Sequence, residues 1–349
     1  MRSTKPPAVV AVDLFCGAAG LSLGLRDSGI SVTAGIDLDP ACRYPFEQNI
    51  GAKFLERDVK TLQPAEVSRL FEGGKIRLLA GCAPCQPFSG YTTKRRAIDE
   101  RWELLLEFVR IVRGVKPEVV TLENVPRLVH LPLWQSVVSD LASAGYHIAW
   151  RVIDASAYGV PQARRRLVLL ASRLGPIELP PPRKGKPSTV RSAISRLPKI
   201  DAGVPGHSDP LHSSRALTKK NLDRIRASRP AGTWREWPHQ MRVECHTTAT
   251  GKTYPSVYGR MSWDRPAPTI TTQFYGFGNG RFGHPDQDRA ISLREGALLQ
   301  SFPRNFKFAP EGDRINFRAV GRLIGNAVPP LLARAVGDAI VNHVAGYSK

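Results

Sequence analysis

Two cysteines stand three residues apart in GCAPCQPFSG, residues 81 to 90. A pair at that spacing, here Cys82 and Cys85, can act as a redox couple, as half of a zinc site, or as one reactive thiol beside a neighbour that merely packs. Zinc fares worst of the three. A structural zinc site takes four ligands, usually as two close pairs, whereas the chain has five cysteines and no second C-x-x-C, and His207, His212 and His246 are poorly spaced to complete one. No metal is expected, and the odd, scattered cysteine count argues against a disulfide framework. Glu123 leaves an apolar run in TLENVP. A carboxyl so placed is poorly solvated, which raises its proton affinity and suits it to act as an acid. QARRR (162–166) then presents Arg164 and Arg166 at alternate positions. A thiol, a protonatable carboxyl and arginines gathered at one edge would form a working catalytic set.

The elements that must gather them alternate. Strands are expected at Ala8–Val12, Ser31–Ile36, Lys53–Leu55, Ile76–Ala80, Val119–Leu122, His147–Ile153 and Leu167–Ala171, with helices running through Leu25, from Arg101 to Arg113 and from Trp134 to Ala144. Strands alternating with helices imply an α/β fold with a mainly parallel sheet covered on both faces. From Gly175 the style changes: GPIELPPPRKGKPST is rich in proline and lysine and reads as a linker. Residues 185–270 follow with many basic residues, short irregular segments and aromatics such as Trp234, Trp237, Tyr254 and Tyr258, the pattern of a second, smaller, loop-rich domain. Regular helical pattern returns from Arg294, and 331–343 is an amphipathic closing helix. Three segments are expected: 1–178 as the main domain, 179–275 as the loop-rich domain, and 276–349 returning to the first.

DLFCGAAGLSLGL (13–25) combines a strand end, a glycine turn at Gly17 and Gly20, and a helix start. Glycine lets a ligand approach the backbone closely, and the helix start offers free N–H groups. The pattern is neither GxxxxGK[ST] nor GxGxxG, so nucleoside triphosphates and dinucleotides both lose support. Asp37, at the end of the second strand, is placed to accept hydrogen bonds from a ribose diol, and Asp58, after the third, could receive an adenine amino group. The residues therefore point to an adenosine-bearing cofactor across the carboxyl ends of the strands.

The formal charge is +20, with an isoelectric point near 10.2. About +6 lies in residues 1–175, about +10 in 176–270 and about +4 in the remainder. Such an excess implies a polyanionic partner, nucleic acid rather than membrane, since no amphipathic basic helix stands out. No apolar run approaches the length that crosses a bilayer. MRSTKPPAVVAVDLF reads as a lead into a buried strand rather than a signal peptide, so the protein is expected in the cytoplasm.

Six stretches then occur together in one order. DLFCGAAG, PCQPFS, ENV, QARRR, LREGALLQSFP (293–303) and LIGNAVPP (323–330) resemble the motifs of the cytosine-5 DNA methyltransferases, in the order that family has them and across nearly the whole chain. The resemblance, to members of the bacterial restriction–modification type, implies a Rossmann-like methyltransferase sheet with a target-recognition domain in the basic 179–275 slot. It implies S-adenosylmethionine as cofactor, spent as S-adenosylhomocysteine, and double-stranded DNA as substrate. Cys85 would be the nucleophile on carbon 6 of a flipped cytosine, with Glu123 holding N3, Arg166 holding O2 and Arg164 supporting the loop or the adduct. Cys82 would be a packed bystander. Cofactor contacts would come from Phe15, Gly17, Gly20, Asp37, Leu38, Asp58, Pro84 and Leu104, with Asn326 closing the site. Two departures fall here: Ala19 stands where the family more often has glycine, and Leu38 where some members stack an aromatic on the adenine.

The resemblance further implies a functionally paired restriction endonuclease and action as a monomer on DNA. Ser89, Tyr91, Thr92, Arg95 and Arg96 would form a loop closing over DNA, and PAPTITTQFYGFGNGRFGHP (266–285) would link the recognition and catalytic parts. Arg294 and Gln300 are expected to pack rather than react. One branch of the family methylates transfer RNA with a small insert, against which the long basic stretch argues. A thiol oxidoreductase would instead require Cys82 for turnover. The recognition sequence, and the base that removes the carbon 5 proton, are not legible.

Overall fold

A computed structural model describes residues 8–73, 75–84, 96–204, 209–249 and 251–347, without the side chains of 96–102 and 245. In chain order the strands are β1 (Val9–Leu14), β2 (Ser31–Asp37), β3 (Lys53–Glu56), β4 (Ile76–Gly81), β5 (Val119–Asn124), β6 (His147–Asp154) and β7 (Arg165–Ser172). The helices are α1 (Gly20–Asp27), α2 (Arg43–Ile50), α3 (Pro64–Ser68), α4 (Arg96–Val115), α5 (Pro132–Ser143), α6 (Val190–Ile194), α7 (Lys219–Arg226), α8 (Leu293–Leu299), α9 (Phe317–Asn326) and α10 (Pro330–Tyr347).

The chain divides into two compact units, the first made of 1–158, 165–183 and 327–349, the second of 159–164 and 184–326. Residues 276–326 thus cluster with the insert, and only the closing helix region returns to the sheet. In the first unit seven strands lie in the order β3-β2-β1-β4-β5-β7-β6. The first five run parallel, while β7 is antiparallel to β5 and β6 to β7. All six residues of β1 and of β5 are buried, as strands covered on both faces require. Leu79, Phe108, Val120, Trp134 and Leu169 belong to the core on one side of the sheet, and α1 packs on α10. The strands fall within two residues of the sequence expectations, whereas α2 and α3 carried no readable signal because their apolar positions are few.

The strand reversal brings the amino end of β7 to the same sheet edge as the carboxyl ends of β1, β2, β4 and β5. That edge is where crossover loops emerge and ligands bind in open α/β sheets. The second unit is built differently. Its described residues form four short helices, several single 3₁₀ turns and isolated bridges around a small cluster of Ile225, Trp234, Trp237, Phe277 and Ala290. Among the described residues no helix is long and apolar enough to cross a membrane.

Candidate active site

Sheet register assembles the first group. Gly81 of β4 lies opposite Leu122 of β5, so the next residues, Cys82 and Glu123, are neighbours as well. Glu123 faces Val168 of β7, and Arg166, two residues earlier on that strand, projects from the same face and reaches it diagonally. The result is a row of three side chains from adjacent strands. Arg166 Nε stands 2.9 Å from Glu123 Oε1, with only 13 % and 7 % of the two side chains exposed. Cys82 Sγ donates to Glu123 Oε2 at 3.0 Å. Burial, and the carboxylate facing it, push the Cys82 thiol well above its ordinary range, so it serves as a donor and not as a thiolate.

Cys82 is therefore more than the packed neighbour that the sequence suggested: it takes one of Glu123's oxygens while Arg166 takes the other. Asn124 also went unread. Its Nδ2 donates to the carbonyl of Ala83 at 3.2 Å, and its Oδ1 accepts from Val125 N–H at 2.8 Å. It thereby ties the end of β5 to the chain just before Cys85. The only signal was its place in ENV. Cys85 itself, with Ser89, Tyr91, Thr92 and Arg95, lies outside the described residues, and Arg96 opens α4.

The second group surrounds the glycine turn after β1. Phe15, Gly17 and Ala19 all have positive φ, at 59°, 52° and 63°. The chain thus turns sharply before α1 begins at Gly20. Gly17 N–H donates to Asp37 Oδ2 and Asp39 N–H to Asp37 Oδ1, both at 2.9 Å. Burial raises the Asp37 pKa, and these backbone donors partly offset it. A Cβ at Gly17 would meet nothing within 4 Å, whereas one at Gly20 would lie 2.2 Å from the backbone oxygen of Val328. The closing GNAVPP turn thus packs on the start of α1, at a distance only glycine permits. Leu38 is 64 % exposed beside Asp37. Asp58 is half-buried and caps a turn by accepting from Lys60 N–H at 3.0 Å, Pro84 is exposed, and Leu104 is half-buried on α4.

Within the second unit, Arg164 donates to the carbonyls of Ile270 and Gly325 at 2.9 and 3.0 Å and is 3 % exposed. Gln162 donates to Gln300 Oε1 and accepts from Ile270 N–H, each at 2.8 Å. Gln300 in turn reaches Ile324 O at 2.7 Å, and Arg294 pairs with Asp209 at 2.5 Å, so both pack as expected. Asn326 ends α9 and is exposed.

A family model described as C-5 cytosine-specific DNA methylase matches residues 9–342. The chain belongs to that family. The Type II methylase M.HgiDII of Herpetosiphon aurantiacus is 45 % identical over 340 residues, 96 % of each chain. The Type II methyltransferase M1.HphI of Haemophilus parahaemolyticus is 31 % identical, covering 95 % of this chain and 86 % of its own. Among solved structures, a prophage-encoded protein of E. coli described as a DNA modification methyltransferase superposes with a TM-score of 0.75 at 22 % identity, over 96 % of this chain and 99 % of that one. Spodoptera frugiperda DNMT2 does so at 0.64 and 15 %, over 97 % and 100 %. Those two likenesses concern the fold.

As a C-5 cytosine-specific DNA methylase, the chain methylates carbon 5 of cytosine in DNA, and its family implies S-adenosylmethionine as donor. The glycine turn fits that group. It offers an open backbone at Gly17, a half-buried carboxylate at Asp37 with lone pairs beyond the two it gives to amides, and an exposed apolar side chain, Leu38, where a flat ring could lie. Among the described residues no group of three or more His, Cys, Asp or Glu is placed to hold a metal ion.

Proposed function

We propose that the methylase attacks a flipped cytosine through Cys85 and holds it with the Glu123–Arg166 pair. Carbon 5 of cytosine is too electron-poor to take a methyl group unaided. Addition of a thiolate to carbon 6 breaks the aromaticity and makes carbon 5 nucleophilic. Glu123, protonated when the base enters, would hydrogen-bond N3 and offset the charge that develops as sulfur adds. Arg166 would hold O2. Cys82, by donating to one carboxylate oxygen, leaves Glu123 a fixed orientation. Arg164 braces the loop around Ile270. The observation that supports this reading is the buried 2.9 Å pair at the ends of β5 and β7, in the family's own ENV and QARRR motifs.

When bound, S-adenosylmethionine supplies an electrophilic methyl group. Phe15, Gly17, Gly20, Asp37, Leu38, Asp58, Pro84 and Leu104 would hold it, and Asn326 would close over it. Because carbon 6 is covered in stacked DNA, the base must leave the helix. The basic 179–275 segment would anchor phosphates and read bases in the major groove. The names of the relatives support a role in a Type II restriction–modification system. In the same reading the protein would work beside a paired endonuclease, act as a monomer on cytoplasmic DNA, and release S-adenosylhomocysteine as the second product.

Bisulfite sequencing of DNA from cells expressing the protein tests the reading. Unconverted cytosines should appear in one short sequence context. Conversion indistinguishable from that in cells carrying the empty vector would refute it.

A further inference from the structure

Two sets of cations in the second unit contrast. Arg260, Arg289 and Arg294 are buried and each meets a carboxylate, those of Asp288, Glu295 and Asp209. A different set surrounds a pocket of about 520 Å³ lined by Trp234, Arg235, His239, Arg242, His246 and Lys252. Among the described residues none of these three cations forms an ion pair. Arg235 instead donates to the carbonyl of Lys252 at 2.8 Å and Arg242 to that of Arg235 at 2.9 Å, and both guanidinium groups lie over the Trp234 ring, at 5.7 and 5.8 Å. The positive charge is pre-positioned without a counter-charge among the described residues.

His246 supplies an independent observation. It is 2 % exposed and stacks on Trp234 with ring centres 4.1 Å apart and planes 11° apart. Val243 N–H donates to its Nδ1 at 3.3 Å, so the neutral ring carries its proton on Nε2. Burial, then Arg224 and Arg242, lower its pKa and keep the ring neutral near pH 7. Among the described residues that buried Nε2–H has no partner. Among the same residues the buried Nε of Arg242 has none either.

We propose that this pocket seats one backbone phosphate of double-stranded DNA, taken by His246 Nε2–H, Arg242, Arg235 and Lys252. The inference rests on reading the second unit as the DNA-binding part, which carries about +14 of the +20 charge. Base edges carry both donors and acceptors, whereas this lining offers chiefly donors and cations, the complement of an acceptor-only phosphodiester. The volume exceeds what a lone ion needs and accommodates the flanking sugars. A phosphate contact fixes register on the duplex and reads no sequence.

A fluorescently labelled duplex of mixed sequence, titrated with the full chain at several salt concentrations, tests the pocket. Lys252→Gln, an exposed position, should weaken binding and lessen the slope of log affinity against log salt by up to about 0.9, the contribution of one phosphate contact. His246→Phe keeps a stacked ring but removes a neutral donor. It should weaken binding about tenfold with the slope unchanged, and His246→Gln should restore part of the loss. Wild-type affinity and slope in Lys252→Gln, or wild-type affinity in His246→Phe, would overturn the pocket while leaving DNA binding intact. Failure of the wild-type chain to bind duplex at all would overturn the reading of the second unit together with the pocket. Inorganic phosphate, followed by tryptophan fluorescence, should bind far more weakly than the duplex. Equal affinity would assign the site to a free anion and refute the DNA contact.

Discussion

In the first unit one buried ion pair, Glu123 with Arg166, sits at the working edge of a seven-stranded sheet. In the second, the described residues include three arginine–carboxylate pairs with buried arginines, Arg260, Arg289 and Arg294, where another domain would have a ladder of strands. The difference concerns what each charge is for. Backbone hydrogen bonds along β4, β5 and β7 hold the first unit whether or not Glu123 is charged, so that carboxyl is available for chemistry. In the second unit the charges replace the ladder: Arg289, 1 % exposed, donates to Glu295 at 2.7 and 2.8 Å and to the carbonyls of Ile200 and Ala290. Removing one partner from such a buried pair leaves an uncompensated charge.

Substitutions can break that comparison, and the largest effect belongs to the sheet edge. Glu123→Gln should lower methyl transfer by about a hundred- to ten-thousand-fold with little change in the thermal unfolding midpoint, as read by tritiated methyl incorporation and circular dichroism. An equal loss of stability would make Glu123 a structural residue like its counterpart Glu295. Next in size, Arg289→Ala should cost about 3–5 kcal/mol and expose the second unit to limited proteolysis while the sheet stays protected. Cleavage appearing equally in both units would show that the two do not differ in this way.

Acidity sharpens the contrast. Asp13, buried in β1, is raised by desolvation to about 7 from 3.8. Between those values the folded chain keeps a proton that the unfolded chain has lost, so this group's contribution to stability falls as pH rises through that window. His284 is lowered by burial to about 4 from 6.5, so the unfolded chain takes up a proton that the folded one refuses, and stability falls as pH drops from 6.5 toward 4. Glu295, held at about 2 by Arg289 against its own desolvation, adds stability that is present above 4.5 and is lost as pH falls toward 2. Moving from pH 7 to pH 5 should therefore strengthen hydrogen-exchange protection in β1 and weaken it around His284, once intrinsic rates are corrected. Protection changing in the same direction in both places would contradict the assignment.

The smallest effects concern the glycine turn. Gly20→Ala forces a methyl group against the Val328 carbonyl and should cost about 1–3 kcal/mol. Gly17→Ala, facing open space at φ 52°, should cost only about 1 kcal/mol. Thermal midpoints in the reverse order would mean that the closing turn does not pack on α1.

The sheet was legible because each central strand is a short apolar run ended by a turn or an acidic residue, as in VVAVDL and VVTLEN. Glu123 and Arg166 were legible as residue types at strand ends, and Asp37 by its place at the end of β2. What stayed hidden depends on contacts between distant segments. Nothing local tells that Cys82 lies beside Glu123, since that needs β4 next to β5 in a fixed register. Arg164 looks like Arg166 in QARRR, yet one braces Ile270 and Gly325 while the other pairs with Glu123. Trp234 reads as one scattered aromatic and His246 as a histidine too poorly spaced for zinc, until 3₁₀ turns stack the two rings. The carboxylates of Asp209, Asp288 and Glu295 gave no sign of their arginines.

The proposal that Cys85 bonds to the cytosine ring is tested most directly by trapping that bond. A duplex with 5-fluorocytosine in the methylated position, incubated with the protein and S-adenosylmethionine, cannot lose a proton from carbon 5 and so retains the adduct. A denaturant-stable protein–DNA complex should form, its modified peptide should contain Cys85, and Cys85→Ser should not form it. No complex, or a complex joined through Cys82, would contradict the account.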